Sequence, residues 1–145
     1  MKWLIALFVL TTPLLQFSSC PLVSFFQPNT TRVRLVNNSD FNVNVVLFVG
    51  KEQNTIREVL RETGERIEFN IAPGQTADFS RDCDNLQAIV IDDADLMVLG
   101  SIGPGATTDV LRDGTNFGCG DTITFTFDHS VIITDFDIAI SVAPG

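Results

Sequence analysis

Tyrosine is absent from this 145-residue chain, and its single tryptophan, Trp3, lies in an N-terminal apolar run. From residue 20 onward the aromatic side chains are phenylalanine alone. Exported sugar binders stack sugars on Trp and Tyr, and adaptable protein binders favour those rings for their apolar body and polar tip. Their absence counts against a carbohydrate-binding module. His129 is the only histidine, so no His-based metal cluster can form. No CxxC pair occurs, which weakens a redox or zinc reading of the cysteines. Basic residues are scarce: leaving out Lys2, eight Lys and Arg face eighteen Asp and Glu, a net charge of −10. That balance repels phosphate backbones and anionic head groups, so nucleic acid is excluded as a partner. No small-molecule substrate is evident. Internal repeats and low-complexity tracts are also lacking.

What is present begins with Lys2 and the apolar stretch Trp3–Leu15, interrupted only by Thr11, Thr12 and Pro13. Thirteen helical residues rise about 20 Å, too short for a hydrocarbon core of about 30 Å. The length fits a signal-peptide apolar region, so residues 1–19 are set apart from the fold. The tetrapeptide Phe17-Ser18-Ser19-Cys20 resembles the bacterial lipoprotein signal, in which apolar and small residues precede a cysteine. The resemblance implies that the Cys20 thiol takes a diacylglycerol and becomes the mature N-terminus. It departs from the usual pattern in carrying Phe17 where leucine is commoner. An ordinary peptidase cut before Cys20 meets bulky Phe17, and one after it leaves Pro21 first. Plain secretion and an uncleaved anchor are the rival readings.

Cysteine parity favours lipidation. The chain has Cys20, Cys83 and Cys119. Modifying Cys20 leaves an even pair, whereas an odd thiol sits poorly in an exported protein. Cys83 and Cys119 lie 36 positions apart beside turn residues and are expected to form a disulfide. Closing that loop is worth about 4 kcal/mol in the chain-entropy description.

Residues 20–30 read as a spacer, with Pro21, Pro28 and Asn29 breaking regular structure and Phe25-Phe26 as unusual apolar members. From 31 to 145 the period is two almost throughout. Val33 and Leu35 alternate with arginines, as Phe41, Val43, Val45, Leu47 and Val49 do with Asn42 and Asn44. Asn37-Asn38-Ser39-Asp40 between them is hairpin-turn chemistry. Further strands are expected at Ile67–Ile71, Ala77–Phe79, Leu96–Leu99, Ile123–Phe127 and Ile132–Val142, with Pro73-Gly74 as a turn. Leu86–Ile91 is nearly continuously apolar, broken only by Gln87, and predicts a central strand covered on both faces. Helical spacing of Ile56, Val59 and Leu60 predicts one short helix near 53–62, ended by Gly64. The sum is a single all-β domain, an antiparallel β-sandwich of immunoglobulin-like or Greek-key type.

Candidate chemistry is sparse. Asp128-His129-Ser130 holds the residue types of a hydrolase triad, but neighbours on an extended chain point to opposite faces, so a tight turn is expected instead. Asp92, Asp93 and Asp95 could supply oxygens to calcium, although their spacing is not that of an EF-hand and a solvated turn accounts for them as well. Asp135 and Asp137 stand about 7 Å apart on a strand face, within the range of an inverting glycosidase, yet occupy the polar parity of an amphipathic strand. Gly100, Gly103 and Gly105 with Pro104 predict a flexible loop and no phosphate cradle. Asn29-Thr30-Thr31 and Asn37-Asn38-Ser39 match the glycosylation sequon. Val33–Val49 followed by Ala72-Pro73-Gly74-Gln75-Thr76 resembles many bacterial envelope sandwiches of uncharacterised role. That resemblance implies a fold and no function. The expectation is a non-enzymatic envelope lipoprotein domain without cofactor, its lipid in the membrane and an envelope protein as partner. The alternative is a secreted, calcium-dependent binding or adhesion module.

Overall fold

A computed structural model describes residues 29–130 and 135–145. The signal segment, Cys20, Phe25-Phe26 and Ile132 lie outside the described residues. The elements in chain order are β1 (Thr30–Asn37), β2 (Asn42–Gly50), α1 (Arg57–Thr63), β3 (Glu65–Ile71), β4 (Thr76–Asp82), β5 (Ala88–Val98), β6 (Ser101–Ala106), β7 (Leu111–Arg112), β8 (Thr122–His129) and β9 (Phe136–Ala143). A short 3-10 turn, Cys83–Asn85, joins β4 to β5.

Two sheets face each other, one in the order β4-β1-β8-β9 and one in the order β3-β2-β5-β6, with β7 beside β5. The period-two residues face inward: Val33 and Leu35 of β1, Val43, Val45 and Leu47 of β2, and Ile123, Phe125 and Phe127 of β8 are all buried. Phenylalanine suits these places because it fills volume without a polar atom that needs a partner. The expected sandwich is present, with one difference in strand direction. β1 and β8 run parallel, pairing Val33 with Ile123 and Leu35 with Phe125, so the first sheet is mixed.

The outer face of the second sheet is covered over only half its length. Leu60 of α1 packs with Phe48, Ala88 and Val90. The central strand starts at Ala88, two residues later than the apolar run, and Ala88–Ile91 is apolar on both parities because the core lies on one side and α1 on the other. The helix starts later than its sequence pattern indicates, at Arg57, since only Leu60 of the three spaced apolar residues is buried.

Three further expectations are corrected. Asn37–Asp40 does not close a hairpin: it carries the chain from β1 in one sheet to β2 in the other. Asp92–Asp95 is strand, not turn, because β5 continues through Asp92 at a register irregularity opposite Val46/Leu47. Gly100–Gly105 is mainly β6, an edge strand that tolerates Pro104. Its glycines answer close approaches: a Cβ on Gly103 would stand 2.7 Å from the Leu96 carbonyl, and one on Gly105 would stand 2.8 Å from Asp95 Oδ1.

The two ends of the sandwich differ. β1 starts at the proximal end, where Thr30 pairs with Asp82 next to Cys83. The turns after β1, β3 and β5 gather at the other, distal end. The eight residues of β1 separate the ends by about 26 Å.

Candidate interaction surface

β5 and β6 form a hairpin whose last pairs are Met97 with Ile102 and Val98 with Ser101. Leu99-Gly100 closes it, with φ of 51° and 80°. A two-residue turn of this kind wants positive φ at both places, which is why Asn-Gly is its favoured sequence. Gly100 complies. Leu99 does so at a cost of about 1–2 kcal/mol, because its Cβ crowds the backbone there. Among the described residues it is the one non-glycine with positive φ. Nothing in the fold offsets that cost: the Leu99 side chain is 94% exposed, and Ile102 beside it is 72% exposed. Strain and apolar exposure at one residue are the marks of a surface kept for contact.

Around the tip, Met97 stands opposite Asn42 on one side and Ile102 on the other, on the outer face above the part that α1 covers. A shallow hollow of about 420 Å³ adjoins it, lined by Phe41, Asn42, Asn70, Pro73, Met97 and Leu99. The charges at this end are of one sign. Asp40 is exposed at the rim of the hollow, Asp128 and Asp137 are exposed and face each other across β8 and β9, and Asp135 is exposed as well. Like charges directly opposite on neighbouring strands repel. Lower on the outer face, burial and then the nearby Asp93 push the Asp95 carboxyl above its usual range. No Lys or Arg lies among the described residues of the distal turns.

The distal end is nonetheless well fixed. Asn37 is fully buried. Its amide donates to the carbonyls of Phe41 and Ile71, both at 2.8 Å. Its Oδ1 accepts from the Ser39 N–H at 2.9 Å and the Ser39 hydroxyl at 2.6 Å. Its backbone bonds Gln75 and Gly74. One side chain thus ties the β1–β2 turn to the β3–β4 turn and holds the two sheets in place beneath the hollow. Burial also removes Asn37 as a glycosylation acceptor in the folded domain.

The proximal end carries the disulfide. Cys83 bonds Cys119 with Cα atoms 5.4 Å apart, clipping the turn after β4 to the loop before β8. Nearby, a cleft of about 500 Å³ is bordered by Gly50, Lys51, Thr55, Glu65 and Arg81. Arg81 stacks over Phe79 and donates to Glu65, and that hydrogen bond holds the Glu65 carboxyl below its usual range. Two of the cleft's charges, Glu65 and Arg81, thus satisfy each other.

The remaining sequence candidates are dispersed. Asp92 is held by Arg61 at 2.7 Å and Arg57 at 3.5 Å, both from α1. Asp93 and Asp95 share the outer face of β5 and do not join it. Among the described residues no three or more His, Cys, Asp and Glu side chains are placed to hold a metal. Asp128 and His129 end β8 rather than forming a turn, because β8 runs on through His129 paired with Phe136. His129 meets Phe41 edge-on, with ring centroids 5.6 Å apart, and its Nε2 is 3.7 Å from Asp40 Oδ2. The Ser130 N–H donates to the Asp135 carbonyl at 3.0 Å, a backbone bond of the β8–β9 connection. Asp135 and Asp137 are exposed. Leu99 was not singled out by sequence pattern, since Leu96–Leu99 reads as core. The available signal was a leucine directly before glycine between two apolar runs.

No family model matches the sequence, and no curated protein matches it. Among solved structures, the chain is similar to the T6SS lipoprotein TssJ1 from Pseudomonas aeruginosa, at 15% identity and a TM-score of 0.45, over 81% of this chain and 98% of that one. It is also similar to a protein from Eubacterium rectale solved by NMR, at 17% identity and a TM-score of 0.40, over 81% of this chain and 91% of that one. At these values the likenesses bear on no residue's role.

Proposed function

We propose that the protein is exported and held in the cell envelope by lipid on Cys20, and that its folded part is a non-enzymatic domain working by contact with another protein. The observation that carries this reading is the Cys83–Cys119 disulfide. A disulfide belongs to an oxidising compartment. It uses two of the three cysteines and leaves Cys20 as the odd thiol, behind an apolar run of signal-peptide length. The ten residues from Cys20 to the start of β1 reach at most about 36 Å. A lipid there would tether the domain by its proximal end. The net charge of the domain suits a head held off anionic lipid.

Metabolic labelling with radioactive palmitate tests the anchor. Label should enter the wild-type protein and vanish in Cys20→Ala, with the variant leaving the membrane fraction. An unlabelled, soluble wild-type protein would support plain secretion instead.

A further inference from the structure

We propose that the distal hairpin is the contact surface, and that its partner is a folded protein offering an apolar pocket edged by Lys and Arg. Leu99 and Ile102 would enter the pocket, and Asp40, Asp128, Asp135 and Asp137 would meet the basic edge. The proposal rests on the reading that this domain works by contact with a protein, and it names the place and the partner's chemistry.

Three observations converge on this end. Leu99 and Ile102 are the two most exposed large apolar side chains among the described residues, and they sit one turn apart on the same hairpin. Leu99 holds a backbone conformation that asparagine or glycine would adopt with less strain, so folding alone does not account for it. Beside the tip, Asn37 ties the β1–β2 turn to the end of β3, so the neighbouring wall of the hollow is fixed. A preorganised surface loses less freedom on binding.

Charge selects among occupants. The distal turns carry exposed acids and no Lys or Arg among the described residues. The basic side chains lie elsewhere, and most are already paired: Arg32 and Arg34 with Asp78, Arg57 and Arg61 with Asp92, Arg66 with Glu68, and Arg81 with Glu65. A second copy docking tip to tip would bring acid against acid. Anionic lipid is repelled for the same reason. A partner with basic residues around an apolar pocket satisfies both features, with the acids steering encounter and the leucine supplying a buried anchor.

The test places a photo-crosslinking amino acid at position 99, at 102, and at Val59 on α1 as a control, in the full chain in its native host. Adducts are identified by mass spectrometry, and the captured protein is then purified. One protein captured from 99 and 102 but not from 59, bound at least tenfold more weakly by Leu99→Asn and by Ile102→Asp, and bound several-fold more weakly as NaCl rises from about 0.05 to 0.5 M, supports the proposal. Adducts to lipid or to copies of this chain overturn it, as does an affinity unmoved by either variant. The envelope reading fails separately, through cell fractionation: a protein in the membrane fraction with no adduct at 99 or 102 leaves that reading standing and sinks this one.

Discussion

Replacing Leu99 with asparagine should make the domain more stable. The leucine side chain is 94% exposed, so its removal forfeits almost no burial. Complete burial of a leucine is worth about 1.5–3 kcal/mol, and the few hundredths of that which apply here are negligible. The gain comes from the backbone. Leu99 sits at φ 51°, where a leucine loses about 1–2 kcal/mol and asparagine, a preferred residue of this turn, loses less. The net expectation is about 1 kcal/mol of added stability. For a domain of this size that moves Tm by about 4 °C and the urea midpoint by roughly 0.5 M or more. Gly100→Ala is the matching control. Gly100 lies at φ 80°, and a Cβ added there would have nothing within 4 Å. Alanine therefore meets no neighbour, and the loss, about 1 kcal/mol, is backbone strain alone. Equilibrium urea unfolding followed by far-UV circular dichroism reads both. If Leu99→Asn destabilised the domain by about 1 kcal/mol or more, Leu99 would be a packing residue and the reasoning about the tip would be wrong.

Other perturbations follow from the same geometry. Asn37→Ala should cost about 3 kcal/mol, because it strips four side-chain hydrogen bonds and takes that donor from the buried carbonyl of Ile71 and the part-buried carbonyl of Phe41; thermal unfolding measures it. Replacing Cys83 and Cys119 together by serine should cost about 4 kcal/mol, and reductant should lower the wild-type Tm while leaving the double variant unmoved. Acid should weaken the fold. The guanidinium of Arg81 holds Glu65 low, and those of Arg34 and Arg32 hold Asp78 low, so their contributions are complete above about pH 4.5 and are lost as pH falls through the lowered values. Asp95 acts the other way: its raised value means that its contribution is complete at low pH and lost as pH rises through that value. Asp95→Asn should therefore stabilise the domain at pH 7 and make the acid loss between about pH 5 and 3 steeper, as read by urea midpoints across that window.

Alternation made the strands legible. Val33 and Leu35, and Ile123, Phe125 and Phe127, declare an inward parity that the structure keeps. The nearly continuous apolar run Leu86–Ile91 pointed to burial on both faces, and over Ala88–Ile91 the second cover is α1, through Leu60. What sequence pattern does not carry is partnership. Asn37–Asp40 has the same turn chemistry whether a chain doubles back in one sheet or crosses to another. Asp92 sits within a strand because two arginines of α1, more than thirty positions earlier, hold its carboxylate. Gly103 and Gly105 serve close approaches to β5, not flexibility, and such approaches are tertiary facts. The surface was hidden for a related reason. Leu99 resembles the buried leucines around it in composition, and its exposure arises because the hairpin turns there, beyond Val98 and Ser101.

The chemical state of the three cysteines in the mature protein bears most directly on the envelope reading. Intact mass spectrometry of protein extracted from the envelope, with and without reduction before alkylation, reads all three at once. A chain beginning at Cys20, heavier than residues 20–145 by an attached lipid and alkylated at Cys83 and Cys119 only after reduction, is the expected result. An unlipidated mass, or alkylation of Cys83 and Cys119 without reductant, would contradict it.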